Sequence, residues 1–149
     1  MQLTRFTDLG LRAMMLLAAG ENDEQRVTTR QIAAGAGASE HHIAKAVSRL
    51  VDLGLVHARR GRVGGLALTD AGRTASIGWL VRELEGDREV IDCQGQGTCP
   101  LIAGCRLRRA LAEAKEAFYA ELDRHTIADL VRSSALPLLQ ISPPERISR

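Results

Sequence analysis

Apolar residues recur at steps of three and four positions in two stretches of the chain, a period that predicts amphipathic α-helices. The first helix has an apolar face formed by Phe6, Leu9, Ala13 and Leu16. A longer helix follows Cys105, with apolar positions at Leu107, Leu111, Ala114, Phe118 and Leu122. A short helix is predicted over residues 126–131. The tail over 132–149 contains three prolines and is expected to be disordered.

Between the two long helices, the pattern predicts a short helix, a tight turn, a longer helix and a hairpin. Thr28 and Thr29 can cap the short helix, and Ser39 can cap the longer one. The predicted elements are a helix ending at 34, a turn over 35–38, a helix from 40 to about 52, strands over 55–58 and 66–68, and a helix from 70 to about 85. A short helix, a turn containing glycine and a second helix are typical of a helix-turn-helix, and the hairpin adds a wing.

Charge is unevenly distributed along this chain of 149 residues, although its net charge is only +2. The segment from Arg26 to Arg73 contains eight basic and three acidic residues, so this third of the chain has a net charge of about +5. Such a region indicates a polyanion partner, the alternative being a solvated basic face. Aromatic residues make up 3% of the chain, which argues against a single-strand binder that stacks bases.

The predicted helix-turn-helix has candidate contacts to double-stranded DNA. In this motif the second helix enters the major groove with its N-terminal residues at the base edges. Arginines in the wing loop suit a narrow minor groove. The candidates are Arg12, Thr28, Ser39, His41, His42, Lys45, Arg49, Arg59, Arg60 and Arg62. His41 and His42 can equally be surface histidines, and Arg12 can instead pair with Asp8.

All three cysteines of the chain lie within thirteen residues, at Cys93, Cys99 and Cys105. Three thiolates on a glycine-rich segment can hold an iron–sulfur cluster. Zinc is a competing interpretation, although structural zinc sites usually space their ligands by two to four residues. A thiol redox switch or inert thiols remain open as well. Three thiolates leave one iron without a protein ligand, and the candidates are Asp92, beside Cys93, and Asp8, whose alternative is an ion pair with Arg5 or Arg12.

The chain resembles the nitric-oxide-sensing NsrR repressors, a branch of the winged-helix iron–sulfur regulators that also include IscR. The likeness covers residues 1–131 and rests on the opening segment 3–12, the wing segment 59–66, the segment 78–85 and the three cysteines. The IscR branch has a histidine shortly after its third cysteine. Here that stretch is Arg106-Leu107-Arg108, so the IscR type of site is disfavoured.

The resemblance implies a mainly α-helical homodimer with a [4Fe-4S] cluster in each subunit, a [2Fe-2S] cluster being the alternative. Cys93, Cys99 and Cys105 would bind the cluster, and Asp8 of the other subunit would supply the fourth ligand. The implied organisation is a winged helix-turn-helix DNA-binding region over 1–85, a cluster loop over 86–105, a dimerisation helix and short helix over 106–131, and the tail. The dimer would repress transcription at a palindromic operator until nitric oxide releases it, which would derepress nitric-oxide detoxification genes.

Other classes of function are less consistent with the sequence. An iron–sulfur electron carrier would have no use for the helix-turn-helix and wing. An enzyme is disfavoured because the chain shows no nucleotide-binding glycine pattern and no nucleophile–base pair. A regulator that senses redox state or iron supply stays open. No stretch of about 20 apolar residues and no signal peptide are found, so we expect a cytoplasmic protein without a membrane span.

Overall fold

The computed structural model describes residues 2–20, 27–59, 64–86, 88–95, 97 and 99–132. In these residues the helices are α1 (Arg5–Ala19), α2 (Thr29–Ala36), α3 (Glu40–Asp52), α4 (Asp70–Thr74), α5 (Ile77–Glu85), α6 (Arg106–Leu122) and α7 (Ile127–Arg132), with a 3₁₀ turn over Ile102–Gly104 before α6. The strands are β1 (Val56–Arg59) and β2 (Gly65–Leu68). Most of the loop expected over 20–25, the wing tip at 60–63 and the tail over 133–149 lie outside the described residues.

Side-chain caps explain where the first helices begin. At the start of α2, Thr28 and Gln31 form a capping box, in which each side chain accepts a hydrogen bond from the other residue's backbone N–H. The hydroxyl of Ser39 accepts the N–H of His42 at the start of α3. Gly37 ends α2 with φ of 62°, a left-handed conformation that glycine adopts without steric cost. The predicted helix-turn-helix is therefore confirmed, with α2 continuing two residues beyond the predicted end at Ala34.

The hairpin forms the wing beside this helix pair. Strands β1 and β2 are antiparallel, with Val56 opposite Leu68 and Arg59 opposite Gly65. Val27 adds an isolated bridge to Leu66 on the outer edge of β2, with hydrogen bonds in both directions. Val27, two residues before α2, thereby connects the wing to the helix-turn-helix.

The core lies where α1 crosses the rest of the molecule. Helices α1, α2, α3, α5 and α7 all contribute side chains that are almost completely removed from solvent. These are Leu9, Met14, Leu17, Ile32, Ile43, Leu50, Leu80 and Ile127. Because both ends of the described chain contribute to one cluster, α5 and α7 pack with the helix-turn-helix as a single core.

No helix in the described residues is long and apolar enough to cross a bilayer.

The predicted single helix from Asp70 to Glu85 is wrong, because the chain breaks at Ala75. Ala75 is extended, with ψ of 131°, and separates α4 from α5. Ser76 restarts the helix, since its hydroxyl accepts the N–H of Trp79 at 3.2 Å. Asp123, just beyond the end of α6, accepts hydrogen bonds from Trp79 N–H at 2.8 Å and from the Ser76 hydroxyl at 2.6 Å. The break thus places the start of α5 against the end of α6.

We expect Gly78→Ala to destabilise the protein, because α5 and α6 approach closely at this glycine. A Cβ at position 78 would collide with the backbone oxygen of Tyr119 and the carboxylate of Asp123. Backbone atoms cannot move aside cheaply, so the free energy of unfolding should fall by about 1–3 kcal/mol. Urea unfolding measures this change. Gly104→Ala is the control, since a Cβ there meets open space; equal stabilities of the two variants would contradict the expectation.

Candidate nucleic-acid interface and metal centre

The N-terminal half of α3 presents a polar, exposed surface. Ile43, Val47 and Leu50 are buried against the core, which leaves His41, His42 and Lys45 exposed on the other side of the helix. The Ser39 hydroxyl and the Nδ1 atom of His42 are 2.8 Å apart. The predicted base-reading residues therefore lie together at the N-terminal end of α3, the second helix of the helix-turn-helix, which we call the recognition helix.

The remaining predicted DNA contacts are placed around this helix. Thr28 is exposed, but its hydroxyl belongs to the capping box of α2. Arg59 is exposed at the end of β1, where the wing loop begins. Arg60 and Arg62 lie outside the described residues. The described part of the wing accordingly carries one of its three arginines beside the helix-turn-helix.

Arg12 and Asp8 form an ion pair on the exposed side of α1. The Nε atom of Arg12 donates to Oδ1 of Asp8 at 2.7 Å, one helical turn away. This is the ion-pair alternative that the spacing of the two residues allows. Asp8 is about one-third exposed, so its carboxylate remains open to solvent on one side.

Arg49 is engaged with another helix of the same chain. Its Nη2 atom donates to Oε2 of Glu83 on α5 at 2.9 Å. Arg49 lies in the last turn of α3, at the end opposite to Ser39. Glu83 was missed by the sequence analysis, because nothing in the local pattern pairs two residues 34 positions apart.

The cysteine segment folds back on itself between α5 and α6. The N–H of Cys99 donates to the carbonyl of Cys93 at 3.2 Å, which closes the segment between the first two cysteines. The Sγ atom of Cys105 accepts the N–H of Arg108 at 3.4 Å and so caps α6. Asp92 turns towards the N–H of Gln94, at 3.1 Å. The third cysteine is thus built directly into the start of the long helix.

Cys93 is the most enclosed of the three thiols, with 7% of its surface exposed. Burial raises the pKa of its thiol, and the neighbouring Cys99 and Glu89 raise it further. Glu89 itself binds the Arg108 guanidinium, a hydrogen bond that lowers the pKa of the Glu89 carboxyl. Binding of a metal at Cys93 would therefore have to displace a proton, as thiolate ligation requires.

A cavity of about 600 Å³ lies between the segment 89–91 and the first half of α6. Cys105 lines it, together with the aliphatic side chains of Ile91, Ile102 and Leu111. Charged side chains of α6 line it as well, so the cavity provides room and a mixed apolar and charged wall beside one of the three thiols.

The donor set fits an iron–sulfur cluster in its chemistry, since three thiols of one short segment are the ligands that such clusters use. Within the described residues, no three His, Cys, Asp or Glu side chains are arranged around one metal-ion position. The three cysteines are free thiols. They remain the residues of this chain best suited to hold such a group.

Comparison with known proteins identifies the family. A family model described as "Rrf2: Iron-dependent Transcriptional regulator" matches residues 3–133. The chain belongs to the Rrf2 family. It is 55% identical over 139 residues to the HTH-type transcriptional repressor NsrR of Streptomyces coelicolor, covering 93% of this chain and 94% of that protein. It is 40% identical over 137 residues to the HTH-type transcriptional regulator NsrR of Geobacillus kaustophilus, covering 91% and 92%.

Solved Rrf2 structures share the fold. CymR, titled the global cysteine regulator of B. subtilis, superimposes with a TM-score of 0.69 at 25% identity, covering 90% of this chain and 98% of that one. IscR of T. potens gives 0.68 at 25% identity, covering 89% and 87%. The resemblance to NsrR and the winged-helix fold are confirmed, and the chain is a DNA-binding transcriptional regulator rather than an enzyme.

Proposed function

We propose that this Rrf2 protein is a homodimeric, cytoplasmic repressor that holds a [4Fe-4S] cluster and releases a palindromic operator in response to nitric oxide. The observation that carries the proposal is the placement of the cysteine segment. Its third thiol caps α6, and its first thiol is buried beside that helix. A change in the ligands of this segment would therefore act directly on α6.

In this proposal the cysteines and Asp8 would be the ligands of the cluster. Cys93, Cys99 and Cys105 would hold the cluster, which when bound supplies iron that reacts with nitric oxide. Asp8 would reach across to the other subunit with the side of its carboxylate that Arg12 leaves open to solvent. A carboxylate is a harder ligand than a thiolate, so Asp8 would be the ligand most easily lost.

The exposed face of α3 would read the operator. Ser39, His41, His42 and Lys45 would lie in the major groove, Arg59, Arg60 and Arg62 would enter the neighbouring minor groove, and Thr28 and Arg12 would contact the backbone. In a symmetric dimer, two copies of α3 fit a palindrome only when their separation matches the spacing of the half-sites. Contacts along α6 would set that separation.

Titration of anaerobically purified protein with nitric oxide tests the proposal. We expect visible absorbance that changes within a few equivalents, together with loss of binding to a duplex selected from random DNA by the untreated protein. A response to oxygen or reductants but not to nitric oxide would instead support a sensor of redox state or iron supply. Protein that stays colourless after reconstitution with iron and sulfide would rule out the cluster, and the cysteines would then bind zinc or act as redox-active thiols.

A further inference from the structure

The ion pair between Arg49 and Glu83 joins the recognition helix to α5. Both side chains are partly exposed, at 43% for Arg49 and 35% for Glu83, and their closest atoms are 2.9 Å apart. The pair lies at the C-terminal end of α3, whereas the exposed base-reading candidates lie at the N-terminal end. The pair therefore holds α3 at the end of the helix away from those candidates.

Arg82, the residue before Glu83 on α5, forms a second ion pair, and this one connects α5 to α6. Arg82 pairs with Glu116 of α6 at 2.9 Å, and its guanidinium lies 4.2 Å from the centre of the Tyr119 ring. Tyr119 is buried, and Asp123 holds the first turn of α5 by two hydrogen bonds. Arg82 and Asp123 thus hold α5 against α6, and Glu83, the residue after Arg82, contacts Arg49 of α3.

We propose that Glu83 is a positioning residue for DNA binding, which holds Arg49 so that the recognition helix follows the position of α6. The inference rests on the DNA-binding role of the chain and on the proposed dimer, and does not depend on the signal that the protein senses. An exposed ion pair contributes little to overall stability. Its function should therefore be visible in DNA binding rather than in unfolding.

The competing assignment makes Arg49 a phosphate contact. A carboxylate beside such an arginine neutralises it and repels the phosphates, so Glu83 would then weaken binding. The two assignments predict opposite effects for Glu83→Gln. This opposition makes the pair testable even if a more drastic variant fails to fold.

The experiment compares the wild type with Glu83→Gln, Arg49→Gln and the exchange variant Arg49→Glu/Glu83→Arg. Each dimer is titrated with the palindromic duplex selected by the wild type, and with one half-site of it, at several salt concentrations. Glu113→Gln is the matched control, because it removes one negative charge and one ion pair, that with Arg109 within α6. Thermal unfolding checks that every variant is folded.

We expect both single variants to bind the palindrome more weakly by up to about tenfold, because the dimer loses two exposed ion pairs that each contribute little. Half-site affinity and the salt dependence should stay at the wild-type values, and the exchange variant should recover palindrome binding. Tighter binding by Glu83→Gln, with a salt slope on the palindrome reduced by about two in Arg49→Gln (about one for each subunit), would overturn the proposal in favour of a phosphate contact. Unchanged binding in all variants would overturn it as well. A wild-type protein whose DNA binding does not respond to nitric oxide would contradict only the proposed function, and not the role of Glu83.

Discussion

Replacing Cys105 by serine should remove the visible absorbance and reduce operator affinity to the non-specific level, a loss of about a thousandfold or more. The substitution separates two roles of this side chain. Serine is a good N-cap, so it can still accept the Arg108 N–H that Sγ accepts at 3.4 Å. It cannot replace a soft thiolate on iron. Absorbance spectra and DNA titration of anaerobic protein measure the two losses.

The companion variant Cys105→Ala removes the cap together with the ligand. It should match the serine variant in its lack of absorbance and be less stable to urea by about 1 kcal/mol. Wild-type protein stripped of iron should bind the operator as weakly as both variants. A serine variant that keeps its colour would show that Cys105 only caps α6. A colourless variant that keeps full operator affinity would show that the cluster does not control DNA binding.

The start of most helices could be predicted because the residues responsible are local. Ser39 and Thr69 each accept an N–H three residues later, as their positions before an apolar run predict. The break at Ala75 is only partly local, because Ser76 caps α5 by accepting the N–H of Trp79. The hydrogen bonds that complete it are accepted by Asp123, 47 residues after Ser76, and only the folded chain brings these residues together.

The candidate site shows the same division between local and distant effects. The exposed face of α3 follows from its helical period, because Ile43, Val47 and Leu50 occupy the buried side. The same period places Arg49 on the exposed side, and the sequence therefore suggested a DNA contact. Its partner Glu83 belongs to a helix that only tertiary packing brings near. Spacing along the chain predicts which residues share a face, but not which distant residue faces them.

Phe118→Lys should convert the proposed dimer into monomers at micromolar concentration. Leu107 and Phe118 are 61% and 36% exposed on α6, and the partly buried Leu111 lies between them on the same stripe. Exposed apolar stripes of this kind mark surfaces for a partner. A symmetric dimer would lose two copies of the ring, or about 3 kcal/mol in all, which raises the dissociation constant about a hundredfold. Analytical ultracentrifugation measures the mass in solution.

Ala120→Lys is the matched control, because two residues further along a helix the side chain points about 200° away. It adds the same charge on an exposed position of α6, and the protein should remain a dimer. The Phe118→Lys monomer should also lose its preference for the palindrome over a half-site, since one recognition helix cannot span both halves. If Phe118→Lys remains a dimer and keeps that preference, the stripe on α6 is not the interface. The separation of the two α3 helices must then be set elsewhere, and an ion-pair connection from α6 through Glu83 to Arg49 could not transmit it.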